Sequence, residues 1–223
     1  MFQAIIMGIF NQLLIASGDG GTFPVAFFSI TYTMSTFAYA IFDGSAAALT
    51  PVVSIVSGER DADGIEDVVR LAFKIVIAAG LCVTAGYSMF SVQIIRFFGI
   101  RDPVQMQMAS DGFRIFSLSL VFAGVNTLVT SFWQSISRAR LAGIMSVIRN
   151  FILMLFLGIS LIPEYQTTGL SMTYLCCEGI CTIAVVLVLI FSNSVKRLRE
   201  EYSVIQRTYE KAYVISKDSI SQV

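Results

Sequence analysis

The sequence predicts an all-α polytopic membrane helix bundle of six transmembrane helices, and three observations carry that expectation. The 223 residues are 56% hydrophobic and only 13% charged, too apolar for an ordinary soluble domain. The apolar residues gather into runs close to the ~20 residues that cross a bilayer core as a helix. Polar, Gly-rich or Pro-containing stretches separate those runs and hold most of the charge.

Residues 1–16 form a first apolar run, short for a full crossing and without the basic start of a secretory signal. It is expected to be a helix whose beginning is missing or very short. Ser17-Gly18-Asp19-Gly20-Gly21 then makes a tight turn. The run Phe23 to Gly58 is the longest, and between Phe23 and Val56 its only charge is Asp43. Residues 58–74 are a polar loop whose second half begins an amphipathic helix. A third span is expected over 71–98 and ends at a Gly99–Pro103 turn. After a polar lead-in, a fourth covers 115–135. The basic stretch SISRARLA precedes a fifth over 144–162, stopped at Pro163. PEYQTTG is a turn, and a sixth span runs over 170–191. Residues 1–194 thus form the membrane lobe, and 195–223 a charged tail.

Loops after the second and fourth spans, with the tail, hold Arg60, Arg70, Lys74, Arg138, Arg140, Lys196, Arg197 and Arg199. The alternate loops hold fewer, Arg96 and Arg101 near their ends and Arg114 in the lead-in to the fourth span. Positive loops stay on the cytoplasmic side, so both termini are expected there.

Composition also excludes. Net charge is zero and no basic tract invites nucleic acid. Histidine is absent, which removes the commonest catalytic base and metal ligand. Cys82, Cys176, Cys177 and Cys181 lie inside apolar runs, with no disulfide or zinc spacing. No nucleophile elbow, phosphate loop or metalloprotease motif is present, so no enzyme, catalytic residue, metal or cofactor is expected.

A carboxylate inside a membrane span is costly and faces a polar cavity or a partner rather than lipid. Asp43 is therefore the leading functional residue. Gly44 and Pro51 follow it, and such residues let a membrane helix bend. Glu178 sits mid-way along the sixth span, as a second proton site or a packing hydrogen-bonder. Asn126 and the pair Asn11–Gln12 are cation ligands or polar glue between helices. Arg149, opening the fifth span, is expected to reach the cytoplasmic headgroups, with a role in a cavity as the alternative. Tyr32, Phe37, Tyr39 and Phe42 are packing aromatics or faces for an organic cation.

Several stretches resemble one family. GDGGTFPVAFFSITYTMSTFAYAIFDGSAAALTPVVSIVSGERD is similar to the second helix of a repeat in MATE (multidrug and toxin extrusion) transporters. IEDVVRLAFK and IIRFFGI are similar to the limits of the next helix. FSLSLVFAGVNTLVTSFWQSISRARLAGIMSVIRNFILMLFLGISLI resembles the fourth and fifth, and TTGLSMTYLCCEGICTIAVVLVLI the last. The resemblance covers nearly all of the chain to about Ser194. The family has twelve spans in two lobes, and the order here is similar to the carboxy-terminal lobe. It implies a plasma-membrane antiporter exporting organic cations or drugs in exchange for Na+ or H+. Asp43, Glu178, Asn126 and Asn11 would then bind cation or substrate, and a second lobe or another copy would complete the cleft. A non-transporting truncated subunit and a lipid-linked oligosaccharide flippase of the same superfamily are the alternatives.

Overall fold

The computed structural model describes residues 2–17, 22–59, 61–136 and 138–192. The expected turn at 18–21 and the tail at 195–223 lie outside them. The described residues form helices joined by short turns, without a strand: α1 (Phe2–Ser17), α2 (Phe23–Gly58), α3 (Ala62–Met89), α4 (Ser91–Phe97), α5 (Pro103–Ser135) and α6 (Ala139–Val147). A π-helical stretch (Ile148–Leu153) then leads into α7 (Met154–Ser192).

Local chemistry explains the starts. Pro24 sits in the first turn of α2, where its missing N–H costs nothing. The Asp61 carboxylate accepts from the amides of Asp63 and Gly64 at 3.1 and 2.9 Å. Asp102 caps α5 through the Gln105 amide at 2.9 Å. These caps satisfy orphan amide donors and start α3 and α5 well before the expected spans. The polar segments read as a loop and a lead-in are thus helical extensions. The third span is also divided, since Phe90 breaks it into α3 and α4. Ser91, just past the break, is buried. Its hydroxyl is 2.9 Å from that of Ser110 and accepts from the Arg114 Nε at 3.1 Å, both on α5.

The last helix doubles back. Arg149 and Glu178 are 29 residues apart, which is ~43 Å along a straight helix, yet their charged groups meet at 2.8 Å. The reversal is at Gln166, the sole non-glycine residue with positive φ among those described (φ 48°, ψ −120°). Gly169 follows so closely over the Leu161 carbonyl that a Cβ there would collide with it. The chain therefore turns inside PEYQTTG, three residues beyond the expected stop at Pro163. Residues 154–165 and 167–192 are antiparallel arms.

By length and composition, four stretches among the described residues suffice to cross a membrane: α2, α3, α5 and the doubled-back Ala139–Leu189; the apolar part of α1, Ala4–Ala16, is shorter. α5 is the central helix. In its most apolar window 56% of residues are buried, against 22% in α2 and 17% in α3. It packs on α2, α3 and α7 through Phe113, Phe116, Leu120 and Trp133, all buried. Phe37, Leu71 and Phe156 point outward, each more than half exposed, as a lipid-facing surface requires.

Polar bonds tie α2 and α5 to α3. Thr84 donates to the Ser117 carbonyl at 2.8 Å, and Tyr87 donates to that of Met34 at 2.9 Å. At the α3–α5 contact a Cβ on Gly80 would lie 3.2 Å from the Val121 Cα, and one on Gly124 would lie 2.9 Å from the Val76 Cγ1. Gly80→Val is expected to push α5 away and cost about 1–3 kcal/mol. A lowered Tm in detergent, by intrinsic fluorescence, checks it; an unchanged Tm contradicts the close contact.

Candidate functional site: a polar cavity with a buried ion pair

A cavity of about 790 Å³ lies among α1, α2, α5, α6, the π stretch and α7. Spacing along the helices explains which side chains reach it. Tyr32, Tyr39 and Asp43 share one face of α2, and Thr127, Ser131 and Gln134 share one face of α5, each set recurring at three- to four-residue steps or their sum. Ser146 and Asn150 face it from α6 and the π stretch, and Cys177 and Glu178 from α7.

At one wall of the cavity the Glu178 carboxylate gathers donors from three other elements. Its Oε1 accepts from Arg149 Nε at 3.0 Å, Arg149 Nη2 at 2.8 Å and the Tyr39 hydroxyl at 2.9 Å. Its Oε2 accepts from Asn126 Nδ2 at 2.8 Å. Arg149 Nη2 also reaches the Tyr39 hydroxyl and the Ala123 carbonyl, both at 3.4 Å. The guanidinium lies 5.8 Å from the Tyr39 ring centre, within cation–π range. Thr182 donates to Asn126 Oδ1 at 3.2 Å and fixes the amide's orientation. Arg149 and Glu178 are 8% and 5% exposed, so their charges answer each other rather than water.

The expectation that Arg149 extends to the headgroups is therefore corrected. The helix begins at Ala139, not near residue 144, so Arg149 stands ten residues inside it, ~15 Å along. The π stretch turns it inward, a local widening often found at functional positions. Its own carbonyl accepts from the Cys177 thiol at 3.3 Å.

The other predicted residues separate. Asp43 lines the cavity, exposed, with no hydrogen bond or ion pair among the described residues. Glu178 lines it too, but is held by Arg149. Asn126 is 1% exposed and stands behind Glu178 as an interhelical bond. Asn11 is outside the lining, its Oδ1 buried without a partner. Gly44 has open space around it, and α2 runs unbroken through Pro51. Of the aromatics, Tyr32 and Tyr39 face the cavity, Phe42 is in the core and Phe37 faces outward. The polar face of Thr127, Ser131 and Gln134 was not singled out from sequence. Its signal was present as polar residues repeating at helical spacing inside an apolar span.

Apolar helices that face outward around a polar interior define an integral membrane protein. The MatE family model matches residues 1–159, and the chain belongs to that family, which is one of transporters and not of enzymes. Its fold matches a multidrug resistance MATE family transporter of the MOP superfamily in an outward-facing conformation, with a TM-score of 0.78 and 19% identity over 89% of this chain and 44% of that one. For the inward-facing conformation of a transporter so described, the values are 0.77, 20%, 89% and 45%. A MOP superfamily transporter from Pyrococcus furiosus, described as having a binding pocket of reversed polarity, gives 0.75, 20%, 88% and 44%. At such identities the likeness is one of fold. The chain spans less than half the length of these proteins, and no curated protein matches it.

Glu178→Gln is expected to leave the Arg149 charge buried and unpaired, at a cost of about 3–5 kcal/mol. Adding Arg149→Gln restores most of the loss. Thermal unfolding of both single variants and the double variant checks this, and additive losses would mean that the pair is not coupled.

Proposed function

We propose that this chain forms one lobe of a secondary antiporter that exports organic cations or drugs in exchange for Na+ or H+. Asp43 carries the reading. It is an unpaired carboxylate in the cavity, on the same face of α2 as the Tyr39 and Tyr32 rings. An aromatic face beside a carboxylate suits an organic cation, and the same carboxylate can take Na+ or a proton. Occupation by one displaces the other, which is the basis of exchange. Glu178 contributes indirectly in this scheme, since its charge is already answered by Arg149 and its role is to fix the wall behind the ligand.

In this reading six helices cross the plasma membrane: α1, α2, α3 with α4, α5, α6 continued through the π stretch to residue 165, and residues 167–192. The loop charges favour cytoplasmic termini. A second lobe or another copy of the chain completes the cleft, and Gly44 and Pro51 let α2 flex beside Asp43. The near-equal match to outward- and inward-facing folds favours rocking of a largely intact lobe. A flippase for lipid-linked oligosaccharides would want free positive charge in the cavity, whereas Arg149 is neutralised by Glu178.

The test is efflux of a fluorescent organic cation from vesicles carrying an inward Na+ or H+ gradient, with the chain and with its Asp43→Asn variant. Gradient-dependent efflux that falls at least ~10-fold in the variant, an activation difference of about 1.4 kcal/mol, is expected. Undiminished coupled efflux by the variant would remove Asp43 from the mechanism.

A further inference from the structure

Hydroxyl groups in these helices mostly satisfy themselves. Ser29, Thr33, Thr36, Ser45, Thr50 and Ser54 of α2 each donate to the carbonyl one turn back, at 2.8–3.1 Å, as serine and threonine do in apolar surroundings. On the cavity wall formed by α5, α6 and the π stretch, Thr130 keeps that habit by donating to the Asn126 carbonyl at 2.8 Å, but five other polar side chains do not. The side chains of Thr127, Ser131, Gln134, Ser146 and Asn150 all line the cavity and have no hydrogen-bond partner among the described residues. Thr127 to Gln134 makes a row ~10 Å long on one helix face. Polar groups held away from lipid and left open are satisfied by water or by a ligand. Apolar drug surfaces would be poorly matched to such a wall, because binding would leave its donors and acceptors unpaired.

We propose that this wall is a specificity-determining subsite for the polar part of the ligand. The cavity then takes cations that carry several hydroxyl or amide groups in preference to purely apolar cations of the same charge. The cationic centre lies at Asp43 and Tyr39 on α2, and the hydroxyl groups lie along Thr127, Ser131 and Gln134. This rests on the cation reading given above and adds the chemical class of its substrate.

The test compares two ammonium ions of equal charge and similar size. Tetraethylammonium has no hydrogen-bonding group, and tetrakis(2-hydroxyethyl)ammonium has four hydroxyls. Binding to the chain in lipid nanodiscs is followed by the fluorescence of its single tryptophan, Trp133, the neighbour of Gln134. The hydroxylated ion is expected to bind at least ~10-fold more tightly, a difference of the size that one or two hydrogen bonds supply. In the triple variant Thr127→Val, Ser131→Ala, Gln134→Leu, the ratio of the two Kd values is expected to fall to near one. Equal binding of both ions by the unaltered chain overturns the subsite whatever the variant does. A ratio unchanged in a folded triple variant also overturns it. Binding of neither ion defeats the cation reading itself, and the subsite with it.

Discussion

The arrangement of this bundle depends on one buried charge and the carboxylate that answers it. Even the mildest scales put an arginine at the centre of a membrane helix at about 2.5–3.5 kcal/mol, and Arg149 is too enclosed to reach headgroups. Glu178 removes most of that penalty, and Tyr39, Asn126 and the Ala123 carbonyl share the remaining bonds. The partners come from three other elements: Tyr39 from α2, Ala123 and Asn126 from α5, Glu178 from α7. A displacement of any of these helices strands a polar group in low dielectric. The pair therefore acts as a registration point for four elements at once.

Two backbone features make the pair possible. The reversal at Gln166 brings the arms of the last hairpin side by side, and the π-helical stretch at 148–153 aims Arg149 across the gap. Both are irregular. The π stretch packs against α1, and α7 packs against α1 and α5, so neighbouring helices hold the hairpin in place. The outcome is a cavity with one charge neutralised and another left open. Asp43 remains available because Glu178, not Asp43, is the arginine's partner.

The cavity is also two-sided. The α2 face offers tyrosine rings and a carboxylate with no partner among the described residues, whereas α5, α6 and the π stretch offer neutral hydroxyl and amide groups, most of them without a partner among the described residues. A wall of either kind alone would suit many ligands. Under the proposed cation reading, the two walls together would order the ligand, with its cation towards α2 and its hydrogen-bonding groups towards α5.

Much of this was legible in the chain. The run Phe23 to Gly58 reads as one helix because about twenty predominantly apolar residues precede a single acid, and α2 has those limits. Asp43 stood out because a lone carboxylate in such a run needs a polar surrounding. The helix starts at Ala62 and Pro103 were harder to see, because their first turns are polar and only the Asp61 and Asp102 caps mark them. The cavity role of Arg149 was the less favoured of its two readings for a related reason. A basic residue just after a basic loop looks like a headgroup anchor, and nothing local shows that the helix began ten residues earlier. Composition and charge spacing by themselves determined a membrane-embedded helical bundle, since those properties follow from burial in lipid and need no knowledge of neighbours. Only the tertiary structure decided that Glu178 is bound to Arg149 and Asp43 is not, because that choice depends on which helix faces lie together after the chain reverses at Gln166.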